Sequence, residues 1–577
     1  MESEILESSN YSNSLLGGLR NLRLDDQLCD LTLVADTEEI KVHRAVVAAS
    51  SDYFRALLTL DMREKDQERI ILKGVPAKGL KAIVNFIYTG KLHCSLDNIS
   101  DILVASTHLQ QSDAIQLCNG YLAGLTNSRN CVDMYNISET FGLNTVQHRA
   151  LQLIYSNFEE ISNSPDFFKF NQKFLGKVLS SDKLRVNSEL RLFQLILKWV
   201  NYNLEGHGQY IGDLMQHVRF PLIPAVDLVN HVMDEPLMRA NPTCLELILE
   251  ASKYHMLPER QAISQNGRTQ VRTDRHSIVM LDIDGDGPKV LEVETRSWGS
   301  LGFTNIDTFH SQVCVLDNYM YICGGIDLYN SSNPVSAKSY RYDPRFDTWC
   351  DITPMQEPRH HFVLVGDNKS LYAIGGYCNG SYRNIVEQYM VAEDNWVYKS
   401  SIGIKLSASA ASYSKGRVYL SGGQNEQGIL KCLWCYSVAQ DVWTAKPSMP
   451  QARMDHAMCA YKNKLYVFGG YDKNIIKAFD RDSIESFDIV TEQWCTVKNN
   501  CPKISSMNSC LIGSKVYIVG GFSYDENKKR KDVSSYDFEK SEWEIVTKLQ
   551  NPTMSVPTCV LRLPRNLVKK TGSNSTV

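Results

Sequence analysis

The chain has 577 residues, 43% hydrophobic and 22% charged, which is enough ordinary material for several globular domains. Its 61 basic residues against 65 acidic ones leave a net charge of −4, no footing for a nucleic-acid binder. No apolar run approaches the roughly 20 residues needed to cross a bilayer, and "MESEILESSNYSN" lacks the basic and apolar parts of a signal peptide. The expectation is a cytoplasmic, possibly also nuclear, chain whose 16 cysteines are reduced and mostly buried.

Residues 1–24 form a short N-terminal segment in which Leu15, Leu19 and Leu22 fall at helical spacing. The next block opens with "CDLTLVADTEEIKV", alternating strand patterns on both sides of "DTEE", and turns helical near His43. "PAKGLKAIVNFIYTGKL" places a proline in a first helical turn and Gly90 as a C-cap. "CDLTLV", "VHRAVVAASSDYFRALL" and "FIYTGKL" together resemble the BTB (POZ) domain, over residues 25–125.

Residues 131–257 are helical by periodicity. In "SELRLFQLILKWVNY", Leu192, Phe193, Ile196, Trp199 and Val200 share one face, as a buried amphipathic helix requires. "LMQHVRFPLIP" and "CLELILEASKYHMLPERQ" resemble the BACK domain. Residues 258–271 are polar and read as a linker.

From residue 272 to 565 the texture is β-rich and repetitive. Gly-Gly pairs begin at Gly324, Gly375, Gly422, Gly469 and Gly520, each after a short apolar strand and 47 or 51 residues apart. Trp349, Trp396, Trp443, Trp494 and Trp543 follow, each with an aromatic seven residues earlier, from Tyr342 to Tyr536. Such units cannot bury an apolar face alone, and their period resembles the kelch repeat, implying four-stranded blades around an axis. Trp298 marks a sixth unit without Gly-Gly. Its strands "SIVML" and "KVLEVE" are expected to join "TCVLRL" from the other end and close the ring.

Between those two strands lies "DIDGDGPKVLEV", which begins like an EF-hand loop. The twelfth position is Val293 where a bidentate glutamate belongs, and the flanks read as strands, so a hairpin turn is expected. "CLWC" at Cys432–Cys435 has no second pair and reads as core packing. His360–His361 lacks a third ligand, so no metal or other cofactor is expected. Residues 566–577 form a polar tail, expected to be disordered, ending in "STV", which fits a PDZ-type C-terminal ligand.

The fold class is therefore multidomain: an α/β BTB (POZ) domain, an all-α BACK domain and an all-β six-bladed kelch propeller. This order resembles the kelch-like (BTB-BACK-kelch) family, whose members commonly serve as substrate adaptors of cullin-3 RING ubiquitin ligases. The resemblance implies a homodimer through the BTB domain, with the helix of Leu15, Leu19 and Leu22 in the interface. It implies cullin-3 docking through Met62 and Glu64 of "DMREKD", with Tyr53 as a further contact. It implies a protein substrate, or degron peptide, held by propeller loops. The residues after Gly-Gly, Ile326, Tyr377, Gln424, Tyr471 and Phe522, reach that face, as do Arg359 with His360 and Arg453 with Asp455. No P-loop, nucleophile elbow or Tyr-His-Cys metal set is present, so the chain is expected to be a non-catalytic adaptor. The alternative is a scaffold binding actin or other cytoskeletal partners through the same propeller.

Overall fold

The computed structural model describes residues 11–60, 62, 65–273, 275–281, 287–302, 308–327, 334–367, 369–473, 477–498, 501–564 and 567–570. The chain divides into two compact units, Met1–Asn171 and Gln172–Val577.

In the first unit the leucine spacing does form a helix, α1 (Tyr11–Leu24). The alternating segments form β1 (Leu31–Ala35) and β2 (Glu38–Val42), paired antiparallel about a tight turn at Asp36. Helices α2 (Arg44–Ser50) and α3 (Asp52–Thr59) follow, the second capped by Ser51, whose Oγ accepts from the Phe54 amide at 3.1 Å. Strand β3 (Arg69–Ile71) then joins β1 in parallel, giving the order β2-β1-β3. Helix α4 (Ala77–Thr89) starts after Pro76, which is its N-cap and lies just ahead of the first turn, and stops at Gly90 with φ 63°. Its buried face of Leu80, Ile83, Val84 and Tyr88 follows the helical period. Tyr88 also ties the core to β2's end, because its hydroxyl meets His43 Nδ1 at 2.8 Å. α1 packs on α4 through Arg23, which donates to Asn85 Oδ1 at 3.1 Å and lies over the Tyr88 ring. The unit continues into helices Cys131–Phe141 and Asn144–Ser156.

The second unit begins helical. Ser188 caps the helix Glu189–Tyr202 by accepting from the Arg191 amide, and Leu192, Phe193, Ile196, Trp199 and Val200 are all buried on it. The polar stretch 258–271 is largely exposed over its first part and anchored at its C-terminal end. Thr269 and Val271 are buried, and Arg272 donates to Ser181 O at 3.1 Å, to His217 O at 2.6 Å and to Glu189 at 2.9 Å. Its polarity serves buried carbonyls, as backbone satisfaction demands.

Six sheets follow. Blades I to V each run through consecutive strands from the innermost outward, and the innermost strands begin at Gln312, Val363, Ala410, Ala457 and Asn508. In blade VI the innermost strand, Thr558–Leu561, comes from the C-terminal side. It pairs antiparallel with Ser277–Met280, followed outward by Lys289–Glu292 and Ser297–Ser300, and Lys569–Lys570 pairs antiparallel with Ser297–Ser300 at the outer edge. Each innermost strand packs on the next, and that of blade VI meets both blades V and I, so the ring closes on a sheet with three strands from the N-terminal side of the propeller and two from its C-terminal side. The segment 282–286 of the aspartate motif lies outside the described residues. Its flanks are paired strands, Met280 opposite Lys289.

The repeat's aromatics staple neighbouring blades. Tyr389 and Trp396 face each other across two strands. The Tyr389 hydroxyl donates to Asp394 at 2.6 Å, and the same carboxylate accepts from the Thr353 amide of the preceding blade at 3.0 Å. Trp396 Nε1 donates to Thr353 O at 2.9 Å. Tyr436, Asp441, Trp443 and Ser400 repeat this arrangement one blade on. Cys435 packs in the core of blade III, Cys432 is half-buried beside it, and the cysteines are all free thiols. No helix among the described residues is long and apolar enough to cross a membrane.

Candidate functional site

The Gly-Gly pairs end the second strand of each blade, and antiparallel pairing brings that end beside the start of the innermost strand. Gly375 and Gly376 have φ 63° and 106°, and a Cβ on Gly376 would stand 2.7 Å from Phe362 Cβ. Only glycine fits there. The residue after each pair then bridges the turn before the innermost strand: Tyr377 with His360, Gln424 with Ser407, Tyr471 with Met454, Phe522 with Ser505. Ile326 pairs with Phe309 in the same way. All five residues that follow Gly-Gly are half-buried at one end of the ring.

One step further in lies a second circle. His310, His361, Ala408, Asp455 and Ser506 each stand fourteen positions before a Gly-Gly pair, and Ser555 fills the sixth place. All six have left-handed backbone, φ 48° to 54°. The amide of Ala408 donates to His361 O at 2.9 Å, that of Asp455 to Ala408 O at 3.0 Å, that of Ser506 to Asp455 O at 2.9 Å, and that of Ser555 to Ser506 O at 2.8 Å. This backbone chain runs from blade II to blade VI along the mouth. Non-glycine residues in this conformation are strained, and such strain gathers at binding sites.

The mouth is chemically two-sided. On blades I and II, the rings of His310 and His361 lie 3.9 Å apart and His360 Nδ1 is 2.5 Å from His361 Nδ1. Burial and mutual repulsion push the imidazole of His310 down to about 3 and that of His361 to about 4, and burial lowers His360 as well, so the cluster is neutral at physiological pH. Tyr377 and Tyr382 flank it with rings 5.0 Å apart. On blades IV and V, Asp455 accepts from Ser506 Oγ at 3.3 Å, and desolvation raises its carboxyl to about 6. Tyr471 and Tyr524 pack beside it with ring centroids 4.1 Å apart and planes tilted by 34°, and Phe522 is edge-on to Tyr524 at 4.9 Å.

Arg359 and Arg453, expected at this face, are corrected by their burial: both are 0% exposed. Arg359 forms an ion pair with the equally buried Glu387 and donates to Gly375 O at 3.0 Å. Arg453 meets buried Glu485 at 2.8 Å and donates to Gly469 O at 2.9 Å. Each guanidinium locks its own blade beneath the mouth and offers nothing to a partner. His360, Tyr377, Gln424, Asp455, Tyr471 and Phe522 are brought together at the mouth. His310, Tyr382, Ser506 and Tyr524 were not singled out from sequence, and His361 was weighed there only as a metal ligand, although the fixed offset from Gly-Gly carries the signal for His310, His361 and Ser506.

In the first unit, Met62 follows α3 and is 49% exposed beside Leu60 at 56%. Tyr53 lies on α3 with its ring 5.4 Å from that of His108. Glu64 lies outside the described residues. Leu15, 54% exposed, lines a shallow groove on α1 with the half-buried Leu19 and Leu22.

Comparison with known proteins agrees with this architecture. The BTB/POZ domain family matches residues 19–124 and the BACK (BTB And C-terminal Kelch) family residues 131–233. A Kelch motif matches residues 308–356, and the KLHDC2/KLHL20/DRC7 Kelch-repeats domain matches 359–561. The chain is 33% identical over 546 residues to Kelch-like protein 26 of Danio rerio, covering 92% of this chain and 90% of that protein. It is 32% identical over 549 residues to Kelch-like protein 26 of Homo sapiens, with 92% and 89% covered. With Kelch-like protein 9 of Mus musculus it shares 35% identity over 379 residues, 64% of this chain and 61% of that one. The chain belongs to the BTB-BACK-kelch family of kelch-like proteins.

Proposed function

We propose that this chain is a non-catalytic substrate adaptor of a cullin-3 RING ubiquitin ligase. The observation that carries the reading is the joining, in one chain, of a BTB domain with exposed apolar surface after α3 to a propeller with a polar, aromatic mouth. In this reading Leu60, Met62 and Glu64 dock the cullin, with Tyr53 supporting the same surface. The groove of Leu15, Leu19 and Leu22 on α1 is covered by a second copy of the chain. The mouth captures a segment of a protein substrate through His360, Tyr377, Gln424, Asp455, Tyr471 and Phe522. Aromatic side chains on a rigid rim suit this work, because they give contact area at small entropic cost.

Affinity purification of the full chain from cells tests the proposal. Cullin-3 is expected to co-purify with the natural sequence and to be lost with Met62→Ala/Glu64→Ala. Absence of cullin-3 from the natural complex would remove the adaptor reading and leave a propeller-based scaffold.

A further inference from the structure

The blade IV and V corner of the mouth has a feature the function above does not use. Asp455 holds a half-buried carboxylate whose one hydrogen-bond partner among the described side chains is a neutral hydroxyl, Ser506 Oγ. Among the described residues no cation pairs with it. Arg453, two residues away in sequence, is engaged by Glu485 beneath the mouth. Arg481 is paired with Asp472 and lies over Phe479, and Lys503 is paired with Asp525. Across the mouth the three histidines present imidazoles to each other, not charge. The tyrosine rings beside Asp455 complete a box with one negative group and an aromatic wall.

A desolvated carboxylate without a cation, next to two tyrosine rings packed at a tilt, is complementary to one kind of group. Cations bind ring faces as well as carboxylates, and both attractions strengthen where water is excluded. We propose that the mouth seats a lysine or arginine side chain of the partner polypeptide on the Asp455 carboxylate, against the rings of Tyr471 and Tyr524. The cost of desolvation that raises the Asp455 carboxyl is offset by the attraction of an arriving cation. An acidic side chain on the histidine cluster is the opposite possibility. It is disfavoured because those imidazoles resist protonation. The inference rests on the mouth being the partner-binding face.

Panning a random twelve-residue phage peptide library on the full chain tests it. Recovered peptides are expected to share a lysine or arginine, and replacing that residue by glutamine or introducing Asp455→Asn should weaken binding at least about tenfold. Asp455→Asn should keep or raise the thermal unfolding midpoint, which separates lost recognition from lost folding. Peptides that bind Asp455→Asn as well as the natural chain, or that instead share an aspartate or glutamate whose effect vanishes in His310→Ala/His361→Ala, would overturn the inference. If those peptides still lose binding in Tyr377→Ala/Tyr471→Ala, the mouth remains the partner site and only the basic specificity fails. If neither set of variants matters, the proposed binding face fails as well.

Discussion

At the residue scale, buried charge separates structural groups from recognition groups. Arg359 and Glu387 are both 0% exposed, and Glu387 also accepts from the amides of Gln356 at 2.7 Å and Glu357 at 3.2 Å. Removing one partner strands the other, so Arg359→Ala is expected to cost about 3–5 kcal/mol in urea unfolding followed by tryptophan fluorescence. A cost under about 1 kcal/mol would show that the pair does not hold the blade. Asp455 behaves in the opposite sense. Its folded-state value is raised to about 6 from an ordinary value near 3.8, so the folded chain binds a proton that the unfolded chain releases between those limits. That group therefore favours folding at low pH, and the advantage is lost as pH rises from about 4 to about 6. Asp455→Asn is expected to be more stable than the natural chain by about 1–2 kcal/mol at pH 7.5, and less so near pH 4.5, after allowance for its partial exposure. Equal or lower stability of the variant at pH 7.5 would contradict this account.

At the element scale, the unit of construction is the blade-to-blade staple. Asp394 sits at a turn with φ 46°, accepts from Tyr389 within its own blade and holds the Thr353 amide of the blade before. Asp394→Ala removes both bonds, and a loss of about 1–3 kcal/mol is expected in the same unfolding assay. Tyr389→Phe, which removes one bond, should cost less. The periodic signals of these elements were legible in the sequence, because Gly-Gly, the aromatic and the tryptophan stand at fixed separations along the chain. Blade VI was legible through Trp298, which stands opposite Leu291 as the other tryptophans stand opposite their aromatics. The roles of Arg359 and Arg453 were not. Their partners lie 28 and 32 residues downstream on the third strand, and a turn position looks exposed until that pairing is known. The anchoring of the linker's C-terminal end was hidden similarly, since Arg272, just past it, finds Glu189 at a sequence distance of 83 residues. The inner circle from His310 to Ser555 varies in residue type and is unified by backbone geometry, which residue types alone do not reveal.

At the scale of the whole molecule, the account joins a docking domain to a recognition propeller. If the chain pairs through α1, it presents two mouths, and a substrate with two matching segments gains avidity without any new contact. In the proposed function the mouth would set which substrates are chosen, and the BTB surface would set what is done to them. The central claim is the second of these, and purified proteins test it most directly. Titration of the full chain with the N-terminal domain of cullin-3 should show saturable binding, weakened at least about tenfold by Met62→Ala/Glu64→Ala while the variant keeps its thermal unfolding midpoint. Absence of binding by the natural chain, or equal binding by the variant, would contradict the account.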